Sequence, residues 1–117
     1  MHNQNIGKGG ENLAVAFLIE KGFEIITINW RYKRCEVDVI AAKNNHLHFI
    51  EVKTRTSHKY GNPEESVTKK KMNNLKIAAE EFQHLHPEWK YLQFDVLAIT
   101  IEKNKQPEYF FNEDVYF

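Results

Sequence analysis

Hydrophobic residues follow two different periods along this chain, and the change of period predicts where helices and strands lie. Between Gly9 and Lys21 the apolar positions repeat with a helical period, and four of them share one face: Leu13, Ala14, Phe17 and Leu18. Gly22 follows as a residue suited to the left-handed C-terminal cap of a helix. The pattern therefore predicts a first helix from Gly9 to Lys21.

Later segments are rich in β-branched and aromatic residues, which predicts strands. Four such segments are Phe23–Trp30, Glu36–Ala42, Leu47–Thr54 and Tyr91–Ile101, and the shorter Glu108–Phe111 predicts a fifth strand. Their connections are expected at Arg31–Arg34, Lys43–His46 and Lys103–Pro107. Asn44 and Asn45 mark the second connection as a tight turn, because asparagine tolerates positive φ.

A second helix is predicted from Ser66 to His84, after a polar loop at Arg55–Glu65 that contains Gly61 and Pro63. Pro87 lies beyond its end, where proline commonly stands. Five residues fall on or beside one stripe of this helix: Lys71, Leu75, Ala78, Ala79 and Phe82.

The predicted order of elements is α-β-β-β-α-β-β, which is typical of a layered α/β domain. The central strands carry apolar residues on both faces, so helices should cover both faces of the sheet. We therefore expect a mixed sheet of four to five strands flanked by helices. The 117 residues suit a single domain spanning residues 1–117.

Composition excludes several classes of protein. The formal net charge is zero, so affinity for a polyanion would have to come from a local patch or a bound metal. One cysteine, Cys35, excludes an intrachain disulfide and a cysteine-based zinc site. The first residues lack a signal-peptide pattern, and no apolar stretch approaches the ~20 residues of a membrane span. These features predict a cytoplasmic protein without a membrane partner.

The candidate chemistry lies on the hairpin predicted around Asn44 and Asn45. If Lys43 pairs with His46, Asp38 falls opposite Glu51, and four side chains alternate onto one face: Glu36, Asp38, Glu51 and Lys53. The same alternation predicts that Val37, Val39, Ile50 and Val52 point to the other face.

Two carboxylates directly opposite each other repel, and the cost rises when they lie near a core. A shared proton, a neighbouring cation or a divalent metal could compensate. Mg²⁺ takes one or two carboxylates and fills its octahedron with water and phosphate oxygens, which suits Asp38 and Glu51. Lys53, one strand step away, could then orient a water or stabilise charge on a phosphate. The other interpretation is an ordinary solvated hairpin face.

The residues Glu36-Val37-Asp38-Val39-Ile40 and Phe49-Ile50-Glu51-Val52-Lys53-Thr54-Arg55 resemble the PD-(D/E)xK nuclease signature. With Gly7–Glu11, Asn29–Arg31, Gly61–Glu64, Lys71, Leu75 and Phe94–Val96, the chain resembles the bacterial YraN-like family of uncharacterised proteins. That family is similar to archaeal Holliday-junction resolvases. Two departures stand out: Val37 replaces the proline of the generic signature, and Cys35 stands where the family more usually has glycine.

The resemblance implies a restriction-endonuclease-like fold and assigns a role to each matching residue. Asp38 and Glu51 would bind Mg²⁺ or Mn²⁺, Lys53 would act in catalysis, and Glu11 would add a further carboxylate from the first helix. On the residues alone, Glu11 could simply complement the helix dipole. Lys71 would face the site from the second helix, or be an ordinary solvated lysine.

Basic residues along the chain supply candidate nucleic-acid contacts, foremost Arg31, Arg55 and Lys71. If they gather around the site they form a phosphate-binding rim, and if they scatter they are ordinary surface charge.

Three functions remain open on the sequence. The first is a metal-dependent endonuclease that hydrolyses phosphodiesters of DNA, including branched DNA. The second is a non-catalytic nucleic-acid-binding module that retains the nuclease fold. The third is an interaction protein that uses its aromatic tail, Tyr109–Phe111 with Tyr116 and Phe117. That tail would complete the core or form a homodimer interface, and a two-fold dimer would suit a branched substrate.

Overall fold

Two helices and five strands follow one another in the predicted order α-β-β-β-α-β-β. The computed structural model describes residues 2–56 and 69–115. Its elements are α1 (His2–Glu20), β1 (Glu24–Tyr32), β2 (Cys35–Lys43), β3 (His46–Arg55), α2 (Lys69–Leu85), β4 (Tyr91–Thr100) and β5 (Glu108–Asn112). Most bounds lie within one or two residues of the prediction, and the clear exception is the start of α1.

The strands form one sheet in the order β1-β2-β3-β4-β5. β1, β2 and β3 make an antiparallel meander, β4 pairs with β3 in parallel, and β5 closes the sheet in antiparallel pairing with β4. Parallel neighbours need a long crossover, and α2 lies in that connection. The expectation of a mixed α/β sheet is therefore confirmed.

Each face of the sheet contributes to its own hydrophobic cluster. Beneath α2, Leu47 and Phe49 of β3 pack with Leu75 and Phe82 of the helix. The residue next to Phe49, Ile50, belongs to the other cluster, which is built with Ala14 and Leu18 of α1, Val39, Leu97 and Ile99. Because neighbouring residues of β3 feed opposite clusters, the two helices cover opposite faces, as predicted.

The first helix begins at His2, so the prediction of a start at Gly9 was wrong. Glycine is a poor helix former, but Gly10 is buried against β3, where an added Cβ would lie 2.5 Å from Thr54 Oγ1. Close approach to the sheet thus explains a glycine inside the helix. The C-terminal end is as predicted: Gly22 has φ 95°, and Phe23 N donates to Leu18 O at 2.9 Å.

The β2–β3 hairpin has the predicted register. Lys43 pairs with His46, and Asn44 and Asn45 both have positive φ, as a two-residue turn of this kind requires. The ladder continues inward to the pair Val39 and Ile50. The sequence pattern and the turn chemistry therefore agree on the alignment that brings Asp38 next to Glu51.

The connection between β1 and β2 is shorter than the predicted Arg31–Arg34. Tyr32 pairs with Cys35, which leaves a two-residue turn and places Arg31 inside β1. The predicted facing of Val37 was also wrong, because Val37 packs in the cluster beneath α2 while Val39 packs on the α1 side. The strict alternation of side chains between the two faces of β2 breaks next to Asn29 of β1. Asn29 has a φ of 52° and lies between two paired positions, Ile28 with Val39 and Trp30 with Val37.

The second helix is described from Lys69 onward, and the predicted residues 66–68 and loop 57–65 lie outside the described residues. Its buried stripe is Met72, Leu75, Ala78, Ala79 and Phe82, whereas Lys71, predicted on or beside the stripe, is exposed.

The described part of the aromatic tail contributes to the core on the α1 side of the sheet. In β5, Tyr109 stacks on Phe17 with ring centroids 4.7 Å apart, and Phe111 packs against the α1 cluster. Phe110 keeps half of its surface exposed. Residues 116 and 117 lie outside the described ranges. Across the described ranges, no helix has both the length and the apolar character needed to cross a bilayer.

Candidate metal and phosphate site

The site begins where the β2–β3 ladder ends. Beyond the pair Val39 and Ile50, the Asp38 side chain bonds to the neighbouring strand, with Val52 N donating to Asp38 Oδ2 at 2.8 Å. A carboxylate oxygen thus accepts from a backbone donor of β3. This contact ties Asp38 to β3, and the Asp38 carboxyl also shares a side-chain hydrogen bond with Glu51.

The two carboxyl groups hold a proton between them. Desolvation by burial raises the pKa of Asp38 to about 8, and the hydrogen bond to Glu51 and repulsion from its charge act in the same direction. The Val52 N–H and the Lys53 charge oppose the rise without cancelling it. At neutral pH the Asp38 carboxyl of the metal-free protein is therefore mostly protonated. Of the three compensations expected from sequence, a shared proton and a neighbouring cation are both present.

Two lysines complete the constellation. Lys53 follows Glu51 by two positions on β3, and Lys71 comes from α2 with its Nζ 3.9 Å from Glu51 Oε2. When Lys53 is neutral, its amine can accept a hydrogen bond from the Lys71 ammonium group. Desolvation lowers the pKa of Lys53, and the Lys71 hydrogen bond and charge lower it further, against the opposing effect of Glu51 and Asp38. A lysine of lowered pKa next to carboxylates gives up its proton more readily than a solvated lysine does.

These side chains surround an open cavity of about 370 Å³ between the β2–β3 strands and the start of α2. Its lining consists of Arg34, Glu36, Asp38, Glu51, Val52, Lys53, Lys71, Met72, Asn74 and Leu75. Carboxylates and cations thus share one concave surface. The four side chains predicted to lie together, Glu36, Asp38, Glu51 and Lys53, all line this cavity, and four residues of α2 line it as well: Lys71, Met72, Asn74 and Leu75.

Three other predicted site residues, Glu11, Arg31 and Arg55, do not line this cavity. Glu11 of α1 accepts a hydrogen bond from Asn29 Nδ2 at 3.2 Å, and Asn29 lies across from Asp38 in the β1–β2 register. Arg31 pairs with the cavity residue Glu36 at 2.8 Å. Arg55, at the end of β3, donates from Nε to Thr100 Oγ1 at 3.3 Å.

Sequence reasoning missed two contributors, Asn29 and Asn74. Asn29 interrupts a strand of β-branched and aromatic residues, and asparagine in such a segment is a signal for left-handed backbone. Asn74 lies three positions after Lys71, so helical spacing alone puts both on one face once Lys71 is assigned to the site. Asp95, inside β4, accepts from Gln93 Nε2 and Asp114 N and bonds to His48 Nδ1 at 2.6 Å.

The donor set fits a hard divalent cation completed by substrate, and it does not form an all-protein cage. In residues 2–56 and 69–115, no group of three or more His, Cys, Asp or Glu side chains converges as a metal site. Mg²⁺ needs only one or two protein carboxylates when water and phosphate oxygens supply the rest. Asp38 and Glu51, in contact at the wall of an open cavity, meet that requirement.

The sequence places these residues within a known family. A profile of the uncharacterised protein family UPF0102 matches residues 10–99, a span that contains Glu11, Asp38, Glu51, Lys53 and Lys71. The chain belongs to this family.

Its relatives are similar over nearly their whole length. A UPF0102 protein of Rhodococcus opacus is 44% identical over 108 residues, which cover 92% of this chain and 92% of the relative. A relative from Rhodococcus jostii is 43% identical with the same coverage. A UPF0102 protein of Caldicellulosiruptor bescii is 46% identical over 104 residues, or 87% of each chain.

Proposed function

We propose that this UPF0102 protein is a metal-dependent endonuclease that hydrolyses phosphodiesters of DNA, with branched DNA as the first substrate to test. The observation that carries the proposal is the hydrogen-bonded pair of Asp38 and Glu51, in one open cavity with Lys53 and Lys71. Hydrolysis of a phosphodiester requires negative charge to be neutralised around phosphorus and a water to lose a proton. This cavity offers groups for both.

Each residue has a distinct part in the proposal. Asp38 and Glu51 would hold Mg²⁺ or Mn²⁺, and the metal would supply a more acidic water and neutralise phosphate charge. Lys53 donates to a phosphate oxygen or takes the proton of the attacking water, and its lowered pKa suits the second role. Glu11 of α1 lies outside the cavity lining, so in this proposal it acts indirectly, through its hydrogen bond to Asn29. Lys71 balances the charge of Glu51 and faces the phosphate.

A second candidate function has its own supporting observation. The shared proton and the two lysines already compensate the carboxylates in the metal-free protein. A site that is stable without metal suits a module that binds nucleic acid and does not cut it. This alternative predicts DNA binding that is equal in chelator and in Mg²⁺, with no cleavage product under either condition.

The deciding experiment measures cleavage of a labelled four-way DNA junction in chelator, Mg²⁺ and Mn²⁺. The wild type should cut only with metal. Glu51→Gln should reduce that activity by more than about 100-fold, because it removes a proposed metal ligand and not merely a residue that hydrogen-bonds to one. Glu24→Gln makes the same chemical change at an exposed position of β1 and should retain wild-type cleavage. Cleavage that persists in Glu51→Gln contradicts the proposal, as does a wild type that binds the junction and never cuts it.

A further inference from the structure

The turn between β1 and β2 concentrates positive charge beside the candidate site. Three of four successive positions carry a cation: Arg31, Lys33 and Arg34. Arg34 lines the cavity itself. The Arg31 side chain is 73% exposed and is paired to Glu36, another cavity residue. The tip of this hairpin, residues 31–34, therefore stands at the rim of the cavity.

The composition of the tip conflicts with local turn chemistry. A two-residue hairpin turn favours asparagine and glycine, because it requires positive φ. The β2–β3 turn of this protein follows that rule with Asn44 and Asn45. In the β1–β2 turn, Lys33 adopts φ 56°, a conformation that costs free energy for a lysine. Retention of a long cation at a strained position favours a functional role for its charge.

We propose that the tip of the β1–β2 hairpin binds the sugar-phosphate backbone of a nucleic acid next to the cavity. Arg31 lies near the end of β1, and Lys33 lies two positions further on, in the turn. That spacing lets each meet a different phosphate, since each DNA strand carries about one phosphate per 3.4 Å of helix axis. The inference rests on the proposed nucleic-acid substrate, and it does not require that the substrate be cut.

The opposite wall of the cavity supports this assignment. The first turn of α2 begins with three lysines, Lys69 to Lys71, of which the first two are exposed and the third lines the cavity. Cations therefore stand on both sides of Asp38 and Glu51. A chain that carries phosphates on each side of the bound one fits this arrangement better than an isolated phosphate does. Because the net charge of the whole protein is zero, this clustering of cations around the cavity does not simply reflect a basic protein.

The test is the salt dependence of DNA binding, measured by fluorescence anisotropy between about 50 and 200 mM salt. The probes are a labelled duplex and a four-way junction, and all proteins carry Glu51→Gln so that no probe is consumed. A plot of the logarithm of the association constant against the logarithm of the salt concentration has a negative slope. The double variant Arg31→Gln with Lys33→Asn should make this slope shallower by about two on the duplex. Lys33→Asn by itself should make it shallower by about one without lowering the melting temperature, because asparagine suits positive φ.

Lys90→Gln is the matched control, since Lys90 is exposed just before β4, at the end of the sheet far from the cavity. Its slope should equal that of the parent protein. An unchanged slope in the hairpin variants would overturn the inference and leave the nuclease proposal standing. A reduced slope in the hairpin variants, together with a wild type that binds the junction and never cleaves it, would support the hairpin surface and refute the nuclease. Equal competition by polyglutamate would also overturn the inference, because it would mean binding to any acidic chain.

Discussion

Asp38→Asn should stabilise the metal-free protein at neutral pH, although it removes a charged residue from a candidate active site. In the wild type, burial and Glu51 raise the pKa of Asp38 from 3.8 to about 8. The folded state therefore binds this proton more tightly than the unfolded state does. That contribution to stability is fully present below pH 3.8 and is lost as the pH rises toward about 8.

The size of the effect follows from the same two values. Each pKa unit is worth about 1.4 kcal/mol, and about three units separate 3.8 from pH 7. Asparagine keeps both contacts of the protonated acid, since it accepts from Val52 N and donates to Glu51. With a discount for partial solvent access, Asp38→Asn should gain about 2–4 kcal/mol at pH 7, or about 10 °C in melting temperature.

Urea unfolding in chelator at about pH 4, 6 and 8 measures this gain. The difference between Asp38→Asn and wild type should be near zero at the lowest pH and largest at the highest. Glu24→Gln, the same change at an exposed site, should stay within about 0.5 kcal/mol throughout. Added Mg²⁺ or Mn²⁺ should then stabilise the wild type and leave Asp38→Asn unaffected. A variant no more stable than wild type at about pH 8 would refute the reasoning about the carboxyl pair.

Three further predictions concern the elements that hold the site in place. Asn29→Ala should cost about 1–2 kcal/mol because of the positive φ, while Asn29→Gly should fold normally and lose only the contact to α1, as urea unfolding would show. Gly10→Ala should destabilise by about 1–3 kcal/mol despite the better helix propensity of alanine, and Thr54→Ala in the same chain should recover part of that loss in a double-mutant cycle. Asp95→Ala should cost about 3 kcal/mol or more, because it leaves His48 buried without its partner. Thermal unfolding of this variant with and without His48→Phe would separate the loss of the Asp95 contacts from the cost of the unpaired His48.

The β2–β3 hairpin could be predicted accurately because its information is local. Asn44 and Asn45 specify the turn, and the turn sets the register of both strands. Once that register is known, alternation brings Asp38, Glu51 and Lys53 together. The carboxyl pair and its need for compensation thus follow from nearby residues and the two-residue period of a strand.

The errors lie where a distant segment overrides a local preference. Glycines near the start of the chain argue against a helix, yet α1 runs through them because Gly10 lets the helix approach Thr54 closely. Val37 should face the same side as Val39 by alternation alone. It packs beneath α2 instead, beside the left-handed Asn29 of the neighbouring strand.

By itself, the sequence determined the order of elements, the register of the central hairpin and the set of acidic and basic residues on one of its faces. Only the tertiary structure decided whether the charge of the carboxylates is balanced by a proton or by cations, and which cations lie close to them. Lys71 comes to Glu51 only because α2 docks across the sheet, and Arg34 reaches the cavity only because the β1–β2 turn is tight. The physical reason is range: turn chemistry and strand period act over a few residues, whereas pKa shifts and a shared cavity depend on burial between segments far apart in the chain.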